Sequence, residues 1–563
     1  MEYRDAVALV TAPGQPLEIE RITIPGADGR PVEVNAFKHV PPSLRELLTA
    51  RRGSEDVFLV YEDERWTFRQ VLEQVDALAA QLVGDYGIVK GDRVAIGMRN
   101  YPEWVISFAA IVSIGAVSVS LNAWWTEDEL DYALEDSGVT LLIADAERVA
   151  RTRSSAARLG VRTIGVRCDL ETLEMHGVDP WLPPVGTPMP AITVLPDDDA
   201  TILYTSGTTG RPKGAVSTHR AIIQSLMAFG CRAAIEAVRK SDGQPPQVDP
   251  DAAAPVPPSF ILIVPLFHVT GCVPVMLSSF AAGLKLVIMY KWDPLRALQL
   301  IERERVTNFV GVPTQSWDLL ECPDFSKYDT SSLVSIGGGG APAPPELVKR
   351  VEGSFEGRPN IGYGMTETNA YGPGNTGDDY VSHPTSTGRY VPILELEIRD
   401  PDGVALPIGE LGEIWFKGPH LIRGYWNKPE ATAATIVDGW LRSGDLGRVD
   451  EDGFVYVVDR VKDMVLRAGE NVYCAEVEAA IYEHPAVYEV AVFGVPHERL
   501  GEEVAAVVMR RPGAALTADE LTAFLRERIA SFKVPSRIAF TDEQLPRNAS
   551  GKMLKRELRD MFA

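Results

Sequence analysis

Strand-like apolar segments alternate with helical segments through the first part of this chain, and that alternation restricts its fold more than any other feature. Thr67 is a suitable N-cap for a helix in which apolar residues recur every three or four positions from Leu72 to Leu82. The segments that follow are a strand at 91–97, a buried helix at 104–113, a strand at 116–121, a helix at 127–136 and a strand at 140–144. Strands that alternate with helices predict parallel sheets joined by helical crossovers.

The pattern changes twice toward the C-terminus. Short β segments appear at 412–417 and 453–458, and the last unit comprises a helix at 475–483, strands at 487–492 and 503–509, and a helix at 517–529. A chain of 563 residues is too long for one hydrophobic core, because single cores stop growing at about 250–300 residues. We therefore predict at least two core-bearing units.

The predicted fold class is α/β. Residues 1–459 are expected to form a large N-terminal body of mixed and parallel sheets flanked by helices, together with a β subdomain. Residues 460–563 are expected to form a small, mobile α+β C-terminal domain. Residues 1–40 have no place in this scheme, and the Pro-rich stretch 241–258 is interpreted as a mobile surface insertion.

Composition excludes several classes of protein. The 55 basic and 78 acidic residues give a formal net charge of −23, whereas a protein that binds nucleic acid or anionic membranes would be expected to be basic. Five widely spaced cysteines without a CxxC or zinc spacing predict reduced thiols and a cytoplasmic location. The N-terminus lacks the basic and apolar regions of a signal peptide.

Two uncharged stretches, 104–126 and 259–284, have the length of a membrane span. Both contain small or polar residues, and neither is flanked by a cluster of Lys and Arg. We predict that they are buried segments of the sheets and that the chain has no integral membrane segment.

The strongest local signal lies between residues 202 and 215, with the sequence Ile-Leu-Tyr-Thr-Ser-Gly-Thr-Thr-Gly-Arg-Pro-Lys-Gly-Ala. An apolar strand runs into a loop whose glycines allow a ligand to approach the backbone. Ser206, Thr208 and Thr209 supply hydroxyl groups, and Lys213 supplies a point charge suited to phosphate. No Gly-Lys-Ser/Thr sequence follows the glycines, so the segment predicts a phosphate-binding loop that is not a Walker A loop.

This loop resembles the phosphate loop of the adenylate-forming superfamily, which contains acyl- and aryl-CoA synthetases, peptide-synthetase adenylation domains and luciferases. Further segments resemble the motifs of that family and occur in the family's order: 265–271, 335–342, 362–368, 439–445, 459–465, 467–472 and 545–555. The resemblance covers roughly residues 45–563.

The resemblance implies a binding site for ATP. Tyr363 would stack on adenine beside a glycine run that leaves room for a flat base, Asp445 would accept hydrogen bonds from the ribose, and Thr366 would donate to the α-phosphate. Glu367 would hold Mg²⁺, for which a carboxylate oxygen is a suitable ligand. The full implied nucleotide site is Thr205, Ser206, Gly207, Thr208, Thr209, Gly210, Lys213, Gly339, Gly340, Ala341, Tyr363, Gly364, Met365, Thr366, Asp445, Arg460 and Lys552.

The resemblance also implies a division of catalytic roles. The implied catalytic residues are Lys552, Glu367, His268 and Lys213. Lys552 would bridge the carboxylate and the α-phosphate, and the C-terminal domain would then turn at Lys462 so that Gly469 flanks the tunnel for the CoA thiol. Ala468 stands where CoA synthetases of this family usually have the first of two glycines.

A hydrophobic acid fits the implied acyl pocket, whose residues are His268, Thr270, Pro274, Ile336, Gly339, Ala370 and Tyr371. The predicted function is therefore that of an ATP-dependent acyl-CoA synthetase that uses Mg²⁺, CoA and a small-molecule carboxylic acid, with a medium- or long-chain fatty acid as the leading substrate. An aryl or polycyclic carboxylate is the first alternative. An adenylation enzyme that loads a carrier protein in trans, a luciferase-like oxygenase and a non-catalytic nucleotide-binding protein are the others, and a homo-oligomer stays open.

Overall fold

A first eight-stranded sheet, sheet I, is built mainly from the segments that alternate with helices in the sequence. Its five central strands are mutually parallel, as the crossover pattern predicts, and the strand after the glycine-rich loop turns back antiparallel. In spatial order the strands are Gly424–Tyr425, Gly214–Thr218, Asp199–Tyr204, Val117–Ser120, Arg93–Gly97, Leu141–Asp145, Arg162–Val166 and Asp179–Pro180.

The protein is described by a computed structural model. The residues that it describes are 1–181, 183, 186–205, 211–244, 256–341, 343–468, 470–548, 553–559 and 562. The central part of the predicted insertion, 245–255, therefore lies outside the described residues.

A second eight-stranded sheet, sheet II, is also parallel at its centre and has antiparallel strands at both edges. In spatial order its strands are Gly374–Thr376, Arg358–Gly362, Ser335–Gly339, Asn308–Gly311, Ser259–Leu262, Lys285–Ile288, Val57–Tyr61 and Glu64–Thr67. Because parallel strands end at the same edge, the loops that follow the strands of each sheet gather at one edge.

Helices cover these sheets and connect their strands. Those of the body are Tyr3–Val10, Leu44–Thr49, Phe68–Gly84, Pro102–Ser113, Glu127–Ser137, Ala146–Leu159, Leu170–His176, His219–Lys240, Ser278–Ala282, Pro294–Glu304, Pro313–Leu320, Pro345–Ser354, Gly377–Ser382 and Pro429–Thr435, with a π-helix at Gly271–Leu277 and 3₁₀ turns at Phe325–Lys327 and Thr366–Thr368. Thr67 caps its helix as predicted, and forms a capping box with Gln70.

The core of the body lies around the helix Pro102–Ser113. Trp104 and Phe108 are fully buried and stack with their ring centroids 5.5 Å apart. The prediction that the first uncharged stretch is buried rather than membrane-spanning is therefore confirmed for this helix.

One helix, His219–Lys240, is long and apolar enough to cross a membrane, and the sequence analysis did not single it out. Half of its most apolar window is buried, and its residues contribute to two hydrophobic clusters of the body. The helix packs as a core helix of the body.

The first 40 residues, which the sequence left unassigned, form a helix and a hairpin. The helix Tyr3–Val10 packs on the helix His219–Lys240, and the Arg389 guanidinium lies 4.2 Å from the centroid of the Tyr3 ring. The strands Ile19–Pro25 and Pro31–Phe37 pair antiparallel. This segment straps the long helix to the β subdomain.

Two smaller sheets complete the chain. Sheet III is the β subdomain, with the strands Glu395–Arg399, Gly412–Lys417, Trp440–Val449, Ile436–Val437 and Val455–Arg460. Sheet IV belongs to the C-terminal part, with the strands Glu470–Val472, Val465–Arg467, Gly501–Arg510, Val487–His497 and Arg537–Thr541 and the helices Cys474–Tyr482, Ala518–Arg526 and Lys555–Arg559.

The predicted fold class is confirmed: a large α/β body is followed by a small C-terminal α+β unit with its own hydrophobic cluster. Two strands of that unit, Val487–His497 and Gly501–Arg510, extend beyond the predicted 487–492 and 503–509 because the long hairpin supplies backbone partners past the apolar run. The chain passes from sheet III to sheet IV between Arg460 and Val465, and the domain boundary itself stays a prediction.

Candidate active site

The predicted phosphate loop connects two strands of sheet I. Thr205 follows the strand Asp199–Tyr204, and its backbone N–H donates to the carbonyl of Lys213 at 2.9 Å, which closes the base of the loop. Ser206, Gly207, Thr208, Thr209 and Gly210 lie outside the described residues. The loop therefore leaves sheet I at the edge where the carboxyl ends of its parallel strands meet.

Lys213 and Glu367 are brought together by a tyrosine that the sequence analysis missed. The Lys213 Nζ lies 4.1 Å from the centroid of the Tyr425 ring, and the Tyr425 hydroxyl donates to Oε1 of Glu367 at 2.7 Å. Burial, and then the neighbouring Glu367 carboxylate, raise the pKa of Tyr425, so the hydroxyl keeps its proton and stays a donor. Nothing local in the sequence marks Tyr425; it arrives through the short edge strand Gly424–Tyr425.

The Glu367 carboxylate is suited to a hard cation. Its side chain is 7% exposed and sits on the 3₁₀ turn Thr366–Thr368. Among the described residues, Tyr425 hydrogen-bonds one oxygen of this carboxylate, and no described donor hydrogen-bonds the other. The described part of the chain has no group of three or more His, Cys, Asp or Glu side chains that could hold a metal ion. A Mg²⁺ ion at Glu367 would thus share its coordination with phosphate oxygens and water, as Mg²⁺ in nucleotide sites commonly does.

Tyr363, Asp445 and Arg460 form a second cluster. Asp445 and Arg460 are directly paired across two strands of sheet III. The Tyr363 hydroxyl donates to Oδ2 of Asp445 at 2.5 Å, and the Arg460 Nε lies 3.4 Å from Oδ1. Burial and the Asp445 carboxylate raise the pKa of Tyr363 well above its ordinary value. The structure thus brings together three residues that lie up to 97 positions apart in the sequence.

The glycine run of the strand Ser335–Gly339 has a packing reason besides the predicted one. A Cβ on Gly337 would lie 1.9 Å from the carbonyl oxygen of Asn360, and a Cβ on Gly338 would lie 1.9 Å from that of Gly311. Both distances are far below van der Waals contact, so the adjacent strands of sheet II leave no room for a side chain at these positions. The predicted nucleotide residues Gly339, Gly340 and Ala341 follow at the end of this strand.

The loop that carries Glu367 contains a strained turn. Gly364, Met365 and Thr366 lead from sheet II into the 3₁₀ turn, and the two residues after it adopt left-handed backbone conformations, with φ of 50° at Asn369 and 63° at Ala370. Strain of this kind persists only where surrounding contacts fix it. Here the Asn369 side-chain amide donates to the carbonyl of His420 at 2.9 Å.

His268 lies at the start of the π-helix Gly271–Leu277, which contains Pro274. The backbone N–H of Thr270 donates to Nδ1 of His268 at 3.3 Å. π-Helical turns are rare and often occur at functional sites. His268, Thr270 and Pro274 are each only partly buried.

Two other residues of the predicted acyl pocket are enclosed in the core. Ile336 is 1% exposed and Tyr371 is fully buried. The Tyr371 hydroxyl accepts a hydrogen bond from the backbone N–H of Val391 at 3.0 Å, and its ring meets that of Phe229 edge-on. The assignment of Tyr371 and Ile336 to the pocket stays a prediction.

Three predicted residues of the C-terminal part differ in how the structure treats them. Lys462 is exposed between sheets III and IV, whereas Gly469 and Lys552 lie outside the described residues. Ala468, before Gly469, has a φ of 53°. It opens the two-residue turn between Arg467 and Glu470, and such hairpin turns require positive φ at their first central residue, which explains a preference for glycine there.

Comparison with known protein families gives the site its context. The AMP-binding enzyme family matches residues 48–426, and the AMP-binding enzyme C-terminal domain matches residues 476–552. The first match spans more than half of the chain. The chain belongs to the AMP-binding enzyme family.

Relatives of this AMP-binding enzyme narrow its class. It is 34% identical over 549 residues to a long-chain-fatty-acid–CoA ligase of Bacillus subtilis, covering 92% of this chain and 94% of the relative. It is 37% identical over 502 residues to a feruloyl-CoA synthase of an Amycolatopsis species, covering 88% of this chain and 94% of the relative. The predicted superfamily and its acyl-CoA synthetase branch are confirmed, and the chain is an AMP-forming acid–thiol ligase.

A solved structure agrees with this placement. The AMP-binding enzyme resembles the ATP-bound MatB of Rhodopseudomonas palustris with a TM-score of 0.78 and 30% sequence identity, and the match covers 92% of this chain and 99% of that one. The described clusters around Glu367 and Asp445 therefore lie in a fold that binds ATP in a relative.

Proposed function

We propose that this AMP-binding enzyme activates a hydrophobic carboxylic acid, with a medium- or long-chain fatty acid as the leading substrate, and transfers the acyl group to CoA. The observation that carries the proposal is the juxtaposition of two clusters: Lys213, Tyr425 and Glu367 at the base of the phosphate loop, and Asp445 with Tyr363 on the neighbouring loop and sheet. A cytoplasmic location goes with the proposal.

The first half-reaction makes a poor electrophile reactive. An oxygen of the substrate carboxylate forms a bond to the α-phosphorus of ATP, and the bond from that phosphorus to the pyrophosphate breaks, which leaves an acyl adenylate. Negative charge concentrates on the phosphates in the transition state, so fixed cations and donors should supply most of the catalysis. Lys213 supplies such a charge at the base of the loop, and Lys552 is proposed to supply a second one.

The residues that hold the nucleotide follow from the clusters. Asp445 offers carboxylate oxygens to the ribose, and Arg460, 3.4 Å from that carboxylate, faces the phosphates. Glu367 is the proposed ligand of Mg²⁺, which when bound neutralises charge on the ATP phosphates. Tyr425 holds the Glu367 carboxylate in place by donating to its Oε1.

The second half-reaction transfers the acyl group. The CoA thiolate forms a bond to the acyl carbon, and the bond from that carbon to AMP breaks. Lys462 is the proposed pivot that carries the turn with Gly469 toward the site. The exposure of Lys462, with no contact that would hinder rotation among the described residues, supports this role.

The acid is proposed to lie beside His268, Thr270, Pro274, Gly339 and Ala370. The small side chains at three of these positions leave space for an apolar chain, and the relative named as a long-chain-fatty-acid–CoA ligase supports that substrate class. A difference of one methylene is worth only about 1–3 kcal/mol, so side chains alone do not set the chain length.

An aryl carboxylate is the second candidate, and the similarity to a feruloyl-CoA synthase favours it specifically. A panel of fatty and aromatic acids, assayed for pyrophosphate release with and without CoA, separates the two. Release that requires a fatty acid and continues to thioester only with CoA is the expected result. Pyrophosphate release from aromatic acids alone would exchange the two candidates, and a requirement for a carrier protein in place of CoA would refute the proposal.

A further inference from the structure

The helix Pro313–Leu320 of the body ends against the C-terminal sheet. Asp318 near its end accepts a hydrogen bond at Oδ2 from the indole N–H of Trp292, at 2.8 Å, and another at Oδ1 from the hydroxyl of Tyr488, at 2.9 Å. Trp292 belongs to the body and Tyr488 to the C-terminal sheet. The body therefore fixes the carboxylate, and its second oxygen is offered to the C-terminal unit.

A second bridge lies one helical turn further along. Glu321 accepts hydrogen bonds from Arg350 of the body, at 3.1 Å, and from Arg511 of the C-terminal unit. Both guanidinium groups lie over the ring of Trp317, at 4.8 Å and 5.7 Å from its centroid. One carboxylate on the body thus ties an arginine from each unit to the same indole.

We propose that Asp318, Glu321, Tyr488 and Arg511 form an interdomain latch that holds the C-terminal domain in its adenylate-forming position and must open before thioester formation. This inference rests on the proposed two-step function. In the latched arrangement Ala468 and Glu470 are exposed, so the turn proposed to flank the CoA thiol faces away from the body.

The geometry of sheet IV explains why the latch and that turn cannot act together. The strands Val487–His497 and Gly501–Arg510 pair along their whole length, and the latch residues Tyr488 and Arg511 lie at one end of this pair. At the other end, Gly501 pairs with Arg467, next to the turn. Ten residues of strand span about 33 Å, so docking one end against the body keeps the other end far from the docking surface.

Three variants test the latch: Tyr488→Phe, Arg511→Gln and the two combined. Tyr488→Phe removes one hydroxyl, and Arg511→Gln removes one charge, without touching residues assigned to the chemistry. We expect thioester formation from preformed acyl adenylate to rise and ATP–pyrophosphate exchange to fall, so that the ratio of the two rates changes about threefold in each single variant and about tenfold in the double variant.

Matched controls break similar contacts inside one unit. Tyr456→Phe removes a Tyr–Asp hydrogen bond of 3.0 Å within the body, and Arg510→Gln removes an Arg–Asp pair within the C-terminal unit. Neither should change the ratio of the half-reactions. Equal losses in both half-reactions of the latch variants, together with a lower Tm, would show a merely structural role and overturn the proposal.

A distance measurement makes the test independent of activity. Fluorophores placed on the exposed residues 124 of the body and 470 of the C-terminal unit report the domain arrangement by energy transfer in the substrate-free enzyme. The double variant should show a broader or shifted distance distribution than wild type and both controls. An unchanged distribution would refute the latch even if the proposed substrate also proved wrong, and a shifted one would support it.

Discussion

Removal of one hydroxyl, by Tyr425→Phe, tests whether the contact between Tyr425 and Glu367 serves adenylate formation. The substitution deletes the donor 2.7 Å from Oε1 of Glu367 but keeps the ring beneath the Lys213 ammonium. Glu367 is only 7% exposed, so water replaces the lost donor poorly. A hydrogen bond to a charged group contributes about 1.5–3 kcal/mol, which corresponds to about a 10- to 150-fold loss in rate if the contact is needed in the transition state.

The assay is ATP–pyrophosphate exchange at varied concentrations of Mg²⁺ and ATP, beside thioester formation from preformed acyl adenylate. We expect kcat/KM for exchange to fall by that factor and the second half-reaction to be nearly unaffected. Tyr86→Phe is the control, because it removes a Tyr–Asp hydrogen bond of 3.0 Å remote from the site. Exchange at the wild-type rate would refute the role of Tyr425, and equal damage to both half-reactions would show a general loss of structure.

Three further predictions concern stability. Ala468→Gly should raise the free energy of unfolding by about 0.5–1 kcal/mol, because relief of the left-handed strain outweighs the added chain entropy; a urea titration that shows a loss would contradict this. Gly338→Ala should lower Tm by many degrees, since its Cβ would lie 1.9 Å from a carbonyl oxygen, whereas Gly353→Ala on an open helical position should not; equal Tm values would refute the packing argument. Burial raises the pKa of Asp459 from 3.8 to about 6, so the folded state binds a proton that the unfolded state has lost, and stability falls as pH rises from 4 to 6 by at most about 3 kcal/mol; Asp459→Asn should flatten this part of the Tm profile, and parallel profiles would count against it.

Local patterns in the sequence were sufficient for the helices and strands of sheet I. Thr67 caps its helix, and the apolar runs before and after 127–137 become buried parallel strands, because each depends on neighbours a few residues away. The N-terminal helix Tyr3–Val10 was not predicted, since its stability depends on packing against a helix more than 200 residues later.

The candidate site shows the same division. The motif that carries Glu367 and the loop that carries Lys213 were found from the sequence because their residue types already match the chemistry of phosphate and Mg²⁺. Tyr425 was missed because its role appears only when the edge strand Gly424–Tyr425 joins sheet I. The packing reason for Gly337 likewise depends on an adjacent strand that is distant in sequence.

The central claim is that a carboxylate attacks the α-phosphorus of ATP. A fatty acid with ¹⁸O in its carboxylate, incubated with ATP, CoA and the enzyme, tests this directly by mass spectrometry of the nucleotide product. The account predicts that AMP gains one ¹⁸O atom per turnover, because the carboxylate oxygen stays on phosphorus when the CoA thiolate displaces AMP. Unlabelled AMP, or ADP with labelled phosphate, would contradict it.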